Sequence, residues 1–157
     1  MEYAGFEIRQ DVSIKYKTAT RSESDIDILA VKDDLMLIIE CKDSINPVDP
    51  FESRTSFKHI KNAAEQLQYS QEALADQTFK TMFAKNQKLD LRNVKVIMPL
   101  ILTSNKLFWG FDMQGIPIRN IHEFMGFIGH GEWFSNFRGR RNRSTVYGAI
   151  AKWKRVT

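Results

Sequence analysis

Residues 25–42 read Asp25-Ile26-Asp27-Ile28-Leu29-Ala30-Val31, then Lys32-Asp33-Asp34, then Leu35-Met36-Leu37-Ile38-Ile39-Glu40-Cys41-Lys42. The last segment is an unbroken apolar run rich in branched residues and ends in charge. A run of that length suits a strand buried on both faces, and the segment before it reads as a neighbouring strand. If Asp33-Asp34 is a two-residue turn, Lys32 pairs with Leu35. Asp27 then lies opposite Glu40 and Asp25 opposite Lys42, with all four on one face of the sheet. A three-residue turn would instead set Glu40 opposite Ile26.

Outward from this hairpin, residues 6–16 alternate apolar and polar, with only Gln10 breaking the apolar series, so a third antiparallel strand precedes it. Residues 18–24 are polar and read as a turn. Ser44–Pro50, with two prolines and an acid, reads as a loop. From Ser56 the period changes: Phe57, Ile60, Ala64, Leu67 and Leu74 form one helical stripe. Phe79, Met82 and Phe83 suggest a second helix after Asp76. Residues 93–103 read as another buried strand, in which Pro99 argues for an edge or a bulge. Short strands are expected at 107–111 and 116–118, around a turn at Gly115, and a short helix at 121–128. The expected architecture is one α/β domain with a central mixed sheet flanked by helices.

The chain has 157 residues, enough for one core without disulfides. Its composition, 43% hydrophobic and 27% charged, excludes a largely disordered chain and a fibrous one. No apolar run approaches the roughly 18 residues of a membrane span. No secretory signal is read at the start, and the one cysteine, Cys41, fits a reducing, cytoplasmic setting. The net charge of +4 is unevenly spread. From Phe137 to Thr157 there are seven Lys and Arg and no acid, which leaves 16 basic against 19 acidic residues in the rest. Localised basicity of this kind points to a polyanionic partner.

Two carboxylates facing each other on adjacent strands repel. One of them also ends the most buried strand, where an unpaired charge is expensive. A divalent cation between them removes the conflict, and hard oxygen ligands favour Mg²⁺ or Mn²⁺. Lys42, on the same side, could hold a phosphate oxygen or an attacking water. The plainer reading is a polar strand end, with Glu40 and Lys42 as a rim pair and Asp25 and Asp27 as turn acids.

The run from Ser24 to Ala30, a short turn, and Leu37-Ile38-Ile39-Glu40-Cys41-Lys42 resemble the core of the PD-(D/E)XK nuclease superfamily, the restriction-endonuclease-like domains. The resemblance spans roughly residues 5–130 in element order. It implies metal-dependent hydrolysis of phosphodiester bonds in DNA, with RNA the other substrate class. Asp27 and Glu40 would hold Mg²⁺, for which Mn²⁺ can substitute, and the carbonyl of Cys41 would be a further ligand. Lys42 would act on the water and the transition state. Gln66 matches the polar residue that the family carries on the helix after its third strand. Family members usually have a helix before the first strand; only four residues precede Gly5, so that helix is expected to be missing, or to lie in a longer protein of which this chain is a fragment. Residues 1–132 would form the nuclease-like core, and 133–157 a basic, aromatic C-terminal extension.

Other chemistries find less support. His59, His122 and His130 lack metal-ligand spacing, and no phosphate-loop, dinucleotide or nucleophile-elbow motif occurs. Cys41 alternates away from Glu40 and Lys42 and reads as a core thiol. Phe108, Trp109 and Phe111 read as core residues. In the extension, Arg138, Arg140, Arg141 and Arg143 interleave with Trp133, Phe134, Phe137 and Tyr147, a pattern suited to phosphate contact and base stacking on DNA; the plainer reading is a solvated terminus, or a helix from Thr145 that packs Val146, Ile150 and Trp153 on the body. The expected function is a Mg²⁺-dependent endonuclease, with a homodimer or further domains as other partners. The alternative is an inactive nuclease-like domain that binds nucleic acid or a protein.

Overall fold

Three consecutive strands follow the apolar pattern: β1 (Glu7–Ile14), β2 (Ser24–Lys32) and β3 (Leu35–Lys42). They pair antiparallel in order. The structure, a computed structural model, describes residues 5–19, 21–43, 49–104 and 108–130, the last four of these as backbone only. The extension expected over 133–157, with Arg138, Arg140, Arg141 and Arg143, lies outside the described residues.

After β3 the chain forms α1 (Pro50–Ala75) and α2 (Gln77–Gln87), then returns as β4 (Val96–Thr103) parallel to β3. Short β5 (Asp112–Met113) and β6 (Ile116–Asn120) lead into α3 (Ile121–His130). The result is a six-stranded mixed sheet in the order β1-β2-β3-β4-β6-β5, flanked by helices. Among the described residues no helix is long and apolar enough to cross a membrane.

The apolar run of β3 has a simple cause. Met36 and Ile38 enter one core with Ile60, Ala64 and Leu67 of α1. Leu37 and Ile39 enter a second core with Leu100, Leu102 and Phe124 of α3. A strand covered on both faces needs apolar residues at every position. α1 begins six residues before the expected Ser56. Asp49 accepts the N–H of Glu52 at 2.7 Å, and Pro50, which has no N–H to satisfy, occupies the first turn. The expected loop therefore ends at Asp49.

In β1 and β2 the alternation breaks. Phe6 and Ile8 join the α3-side core, whereas Val12 and Ile14 join the α1-side core. Strict period two would place all four on one face, as the alternation of residues 6–16 suggested. β2 does the same: Ile28 and Ala30 face α3, while Ile26 lies with Leu29 and Val31 on the α1 side. The register nonetheless stays constant, with Gln10 opposite Ile28 and Val12 opposite Ile26. Both strands turn over together between these two pairs, at Asp11 on β1 and Asp27 on β2, and Asp11 has φ 49°.

Pro99 lies on a central strand, not an edge strand, yet its environment explains it. β4 pairs with β3 along its whole length, but with β6 only from Ile101 to Thr103. Pro99 thus occupies the stretch of β4 whose other side no strand covers among the described residues, where a missing N–H breaks no ladder. The aromatic segment after β4 differs from expectation. Phe108–Gly110 form a turn and not a strand, and Trp109 and Phe111 are exposed, with only Phe108 packed on the core. Phe57, placed on the buried stripe of α1 by its spacing, is also exposed and meets the Phe108 ring edge-on at 6.1 Å.

Candidate functional site: two carboxylates where the sheet opens

The two-residue turn is present, and Lys32 pairs with Leu35. The β2–β3 ladder then runs only to Ile28–Ile39. β3 continues beside β4 through the pair Lys42–Thr103. Glu40, Cys41 and Lys42 therefore lie on a stretch held from one side, where β2 has parted from β3. The Asp27–Glu40 and Asp25–Lys42 ladder pairs expected from the register are not formed. In their place the Asp27 carboxylate fills the opening, and its Oδ2 accepts the Cys41 N–H at 2.6 Å.

Glu40 follows Ile38 by two positions and so projects on the α1 side, where it is 1% exposed. Its Oε2 accepts a hydrogen bond from Lys42 Nζ at 3.0 Å, in an ion pair whose lysine end reaches solvent. Burial pushes the Glu40 carboxyl above its ordinary value of 4.5. Lys42 pulls it back through its hydrogen bond and charge, and repulsion from Asp27 and Asp25 raises it again. Glu40 thus feels two other carboxylates, and one lysine offsets their effect on it. Asp25 is exposed and adjoins Ile26, which faces α1, so alternation puts Asp25 on the other face. The turning over of β2 at Asp27 separates it from the common face that strict parity implied.

Cys41 packs at the border of the α3-side core, as its parity suggested, and burial raises its thiol. Gln66 is half-buried on α1; among the described residues its side chain makes no hydrogen bond to Asp27, Glu40 or Lys42. At the same end of the sheet, Ser104 Oγ donates to Asp43 Oδ1 at 2.6 Å, and Asn120 Nδ2 donates to the Ser104 carbonyl at 3.3 Å. These bonds tie together the ends of β3, β4 and β6. Sequence reading passed over Asp43 and Ser104; their one signal was to follow directly the last residues of two buried strands.

Among the described residues no group of three or more His, Cys, Asp and Glu side chains is placed to hold a metal ion. Asp27 and Glu40 are a pair, each with one oxygen engaged and one making no hydrogen bond to a described group. Their chemistry, two hard anionic oxygens in a partly buried and mutually repelling set, fits a divalent cation of the Mg²⁺ type.

No protein-family model and no curated protein sequence matches the chain. A crystal structure described as a protein of unknown function, AF1548, aligns over 97% of this chain and 72% of its own. The two share 17% identity with a TM-score of 0.36, a likeness on which nothing below rests.

Proposed function

We propose that this domain is a restriction-endonuclease-like enzyme that hydrolyses phosphodiester bonds in DNA with Mg²⁺, Mn²⁺ substituting. One observation carries the reading: a buried glutamate sits where β2 leaves β3, with an aspartate bonded to the N–H of the next residue and a lysine 3.0 Å from the glutamate. A strand end that merely met solvent would expose its acid. Glu40 is instead kept inside, against burial and repulsion that both oppose its charge.

In this reading Asp27 and Glu40 bind the cation, with the Cys41 carbonyl as the further ligand. When bound, the cation supplies a more acidic water and neutralises charge developing on the phosphate. Lys42, with its partly exposed ammonium against Glu40, orients the water and donates to the phosphate oxygen as negative charge builds. Nicking of circular DNA with Mg²⁺ or Mn²⁺, abolished by EDTA and by Asp27→Asn, is the expected result. Intact circles in every metal would refute it.

A second reading has its own observation. Lys42 and the Cys41 N–H already satisfy one oxygen of each acid, so the pair is stable without a cation, as in a non-cleaving domain that binds nucleic acid or protein. A thermal melt separates the two: Mn²⁺ stabilises the enzyme through these acids and leaves the non-cleaving domain unchanged.

A further inference from the structure

Asp11 is exposed, and its side chain belongs to neither core. Its backbone is what stands out, with φ 49° in the middle of a strand. The left-handed region is strained for most non-glycine residues, and Asp tolerates it better than most. No residue is inserted in either strand, because the register is the same on both sides of Asp11. The distortion is therefore not an ordinary one-residue bulge, in which two residues oppose one. It is a joint rotation of β1 and β2 between the pairs Gln10–Ile28 and Val12–Ile26, the interval that holds Asp11 on one strand and Asp27 on the other.

That rotation has two consequences, both in β2. It moves Ile26 to the α1 side, and it coincides with the end of the β2–β3 ladder at Ile28–Ile39. Immediately past that end the Asp27 carboxylate takes the Cys41 N–H. A flat β2 would continue the ladder and offer a backbone carbonyl there.

We propose that Asp11 is a positioning residue for Asp27: its left-handed backbone turns β1 and β2 over together, parts β2 from β3, and so sets the Asp27 carboxylate against the Cys41 N–H beside Glu40. The catalytic value of this arrangement rests on the function proposed above, but the geometry does not. Residues that accept positive φ preserve the site, and residues that resist it close the opening.

The test is hydrogen exchange at the Cys41 amide of the full chain in EDTA, with Mn²⁺-induced thermal shifts measured alongside. Asp11→Gly and Asp11→Asn keep the amide protection of wild type. Asp11→Val, which disfavours positive φ, changes it at least tenfold and shrinks the Mn²⁺ shift. Asp11→Ala is a milder substitute should the valine variant fail to fold. Wild-type protection in folded Asp11→Val or Asp11→Ala overturns the proposal. So does an equal change in Asp11→Gly, which would make the carboxylate the cause and not the backbone. If wild type itself shows no Mn²⁺ shift, the metal reading fails while the amide comparison still stands or falls alone.

Discussion

Glu40 carries a negative charge into a place that disfavours it, and this has a measurable sign. Its folded-state pKa lies above the ordinary 4.5. The protonated form is thus favoured by folding, and its contribution is complete below 4.5 and lost as pH rises through the folded value. Glu40→Gln should therefore stabilise the metal-free protein at pH 7, by about 1 kcal/mol or a few degrees of Tm, and the gain should vanish near pH 4. Melts at the two pH values check it; equal gains at both would show that Glu40 charge is not the strained feature. Asp27→Asn removes the repelling partner, so the metal-free form should be no less stable while Mn²⁺ no longer raises Tm. Lys42→Ala should lower kcat by several orders of magnitude with little change in DNA affinity, because its donation strengthens as charge develops. Single-turnover cleavage and binding isotherms separate the two effects, and near-normal kcat would end the proposed role.

At the scale of elements, α1 joins the sheet to everything around the site. Leu67 at its centre is fully buried, and Leu67→Ala should cost about 2–5 kcal/mol in denaturant unfolding. The junction of α1 and α2 is held differently. Asp76 accepts the N–H groups of Thr78 and Phe79 as the cap of α2, and these bonds, Phe79 first, hold its carboxyl below the ordinary 3.8. That contribution is present above 3.8 and fades as pH falls through the lower folded value. Asp76→Asn, which still caps, should fold normally and lose this pH dependence, whereas Asp76→Ala should be destabilised at neutral pH.

What the sequence revealed at this scale follows from what periodicity can record. The β3 run, its turn and the α2 start were legible because burial on two faces, a short polar break and an Asp cap each leave a mark. The opening of the sheet was not. Alternation assigns faces only while φ stays extended, and nothing in a strand pattern marks the residue that turns left-handed. Gln10, the lone polar interruption next to Asp11, was the trace it left. Trp109 and Phe111 were misjudged for a different reason: aromatic residues are usually core, and exposure here comes from a turn that hydropathy does not register. Asp27, Glu40 and Lys42 were found because spacing brought them to one end of the hairpin. The bond between Asp27 and Cys41 replaced the expected ladder and could not be read.

For the molecule as a whole, charge is divided between residues 1–136, slightly acidic, and residues 137–157, which are basic. If Arg138, Arg140, Arg141 and Arg143 meet phosphates, each contributes roughly 0.9 to the salt slope of duplex binding. Their joint replacement by Ala should flatten that slope by up to about 3–4 and weaken all sequences alike. Isotherms across several salt concentrations decide, and an unchanged slope removes the extension from DNA contact.

The one-sided support of residues 40–42 also bears on when the candidate site is assembled. β1, β2 and the first half of β3 are neighbours in sequence, so their pairing needs only short loops to close. Glu40, Cys41 and Lys42 pair with β4, which arrives only after the two long helices have been placed. Long-range pairings of this kind form late, because the entropy of closing the loop comes before the contacts that offset it. In pulse-labelled refolding, the Ile38 and Ile39 neighbourhood should gain protection with the hairpin, and residues 40–42 only with β4. A partly made chain would then hold the acids without the frame that aims them, and, on the function proposed above, competence to cut would arise in the last step of folding.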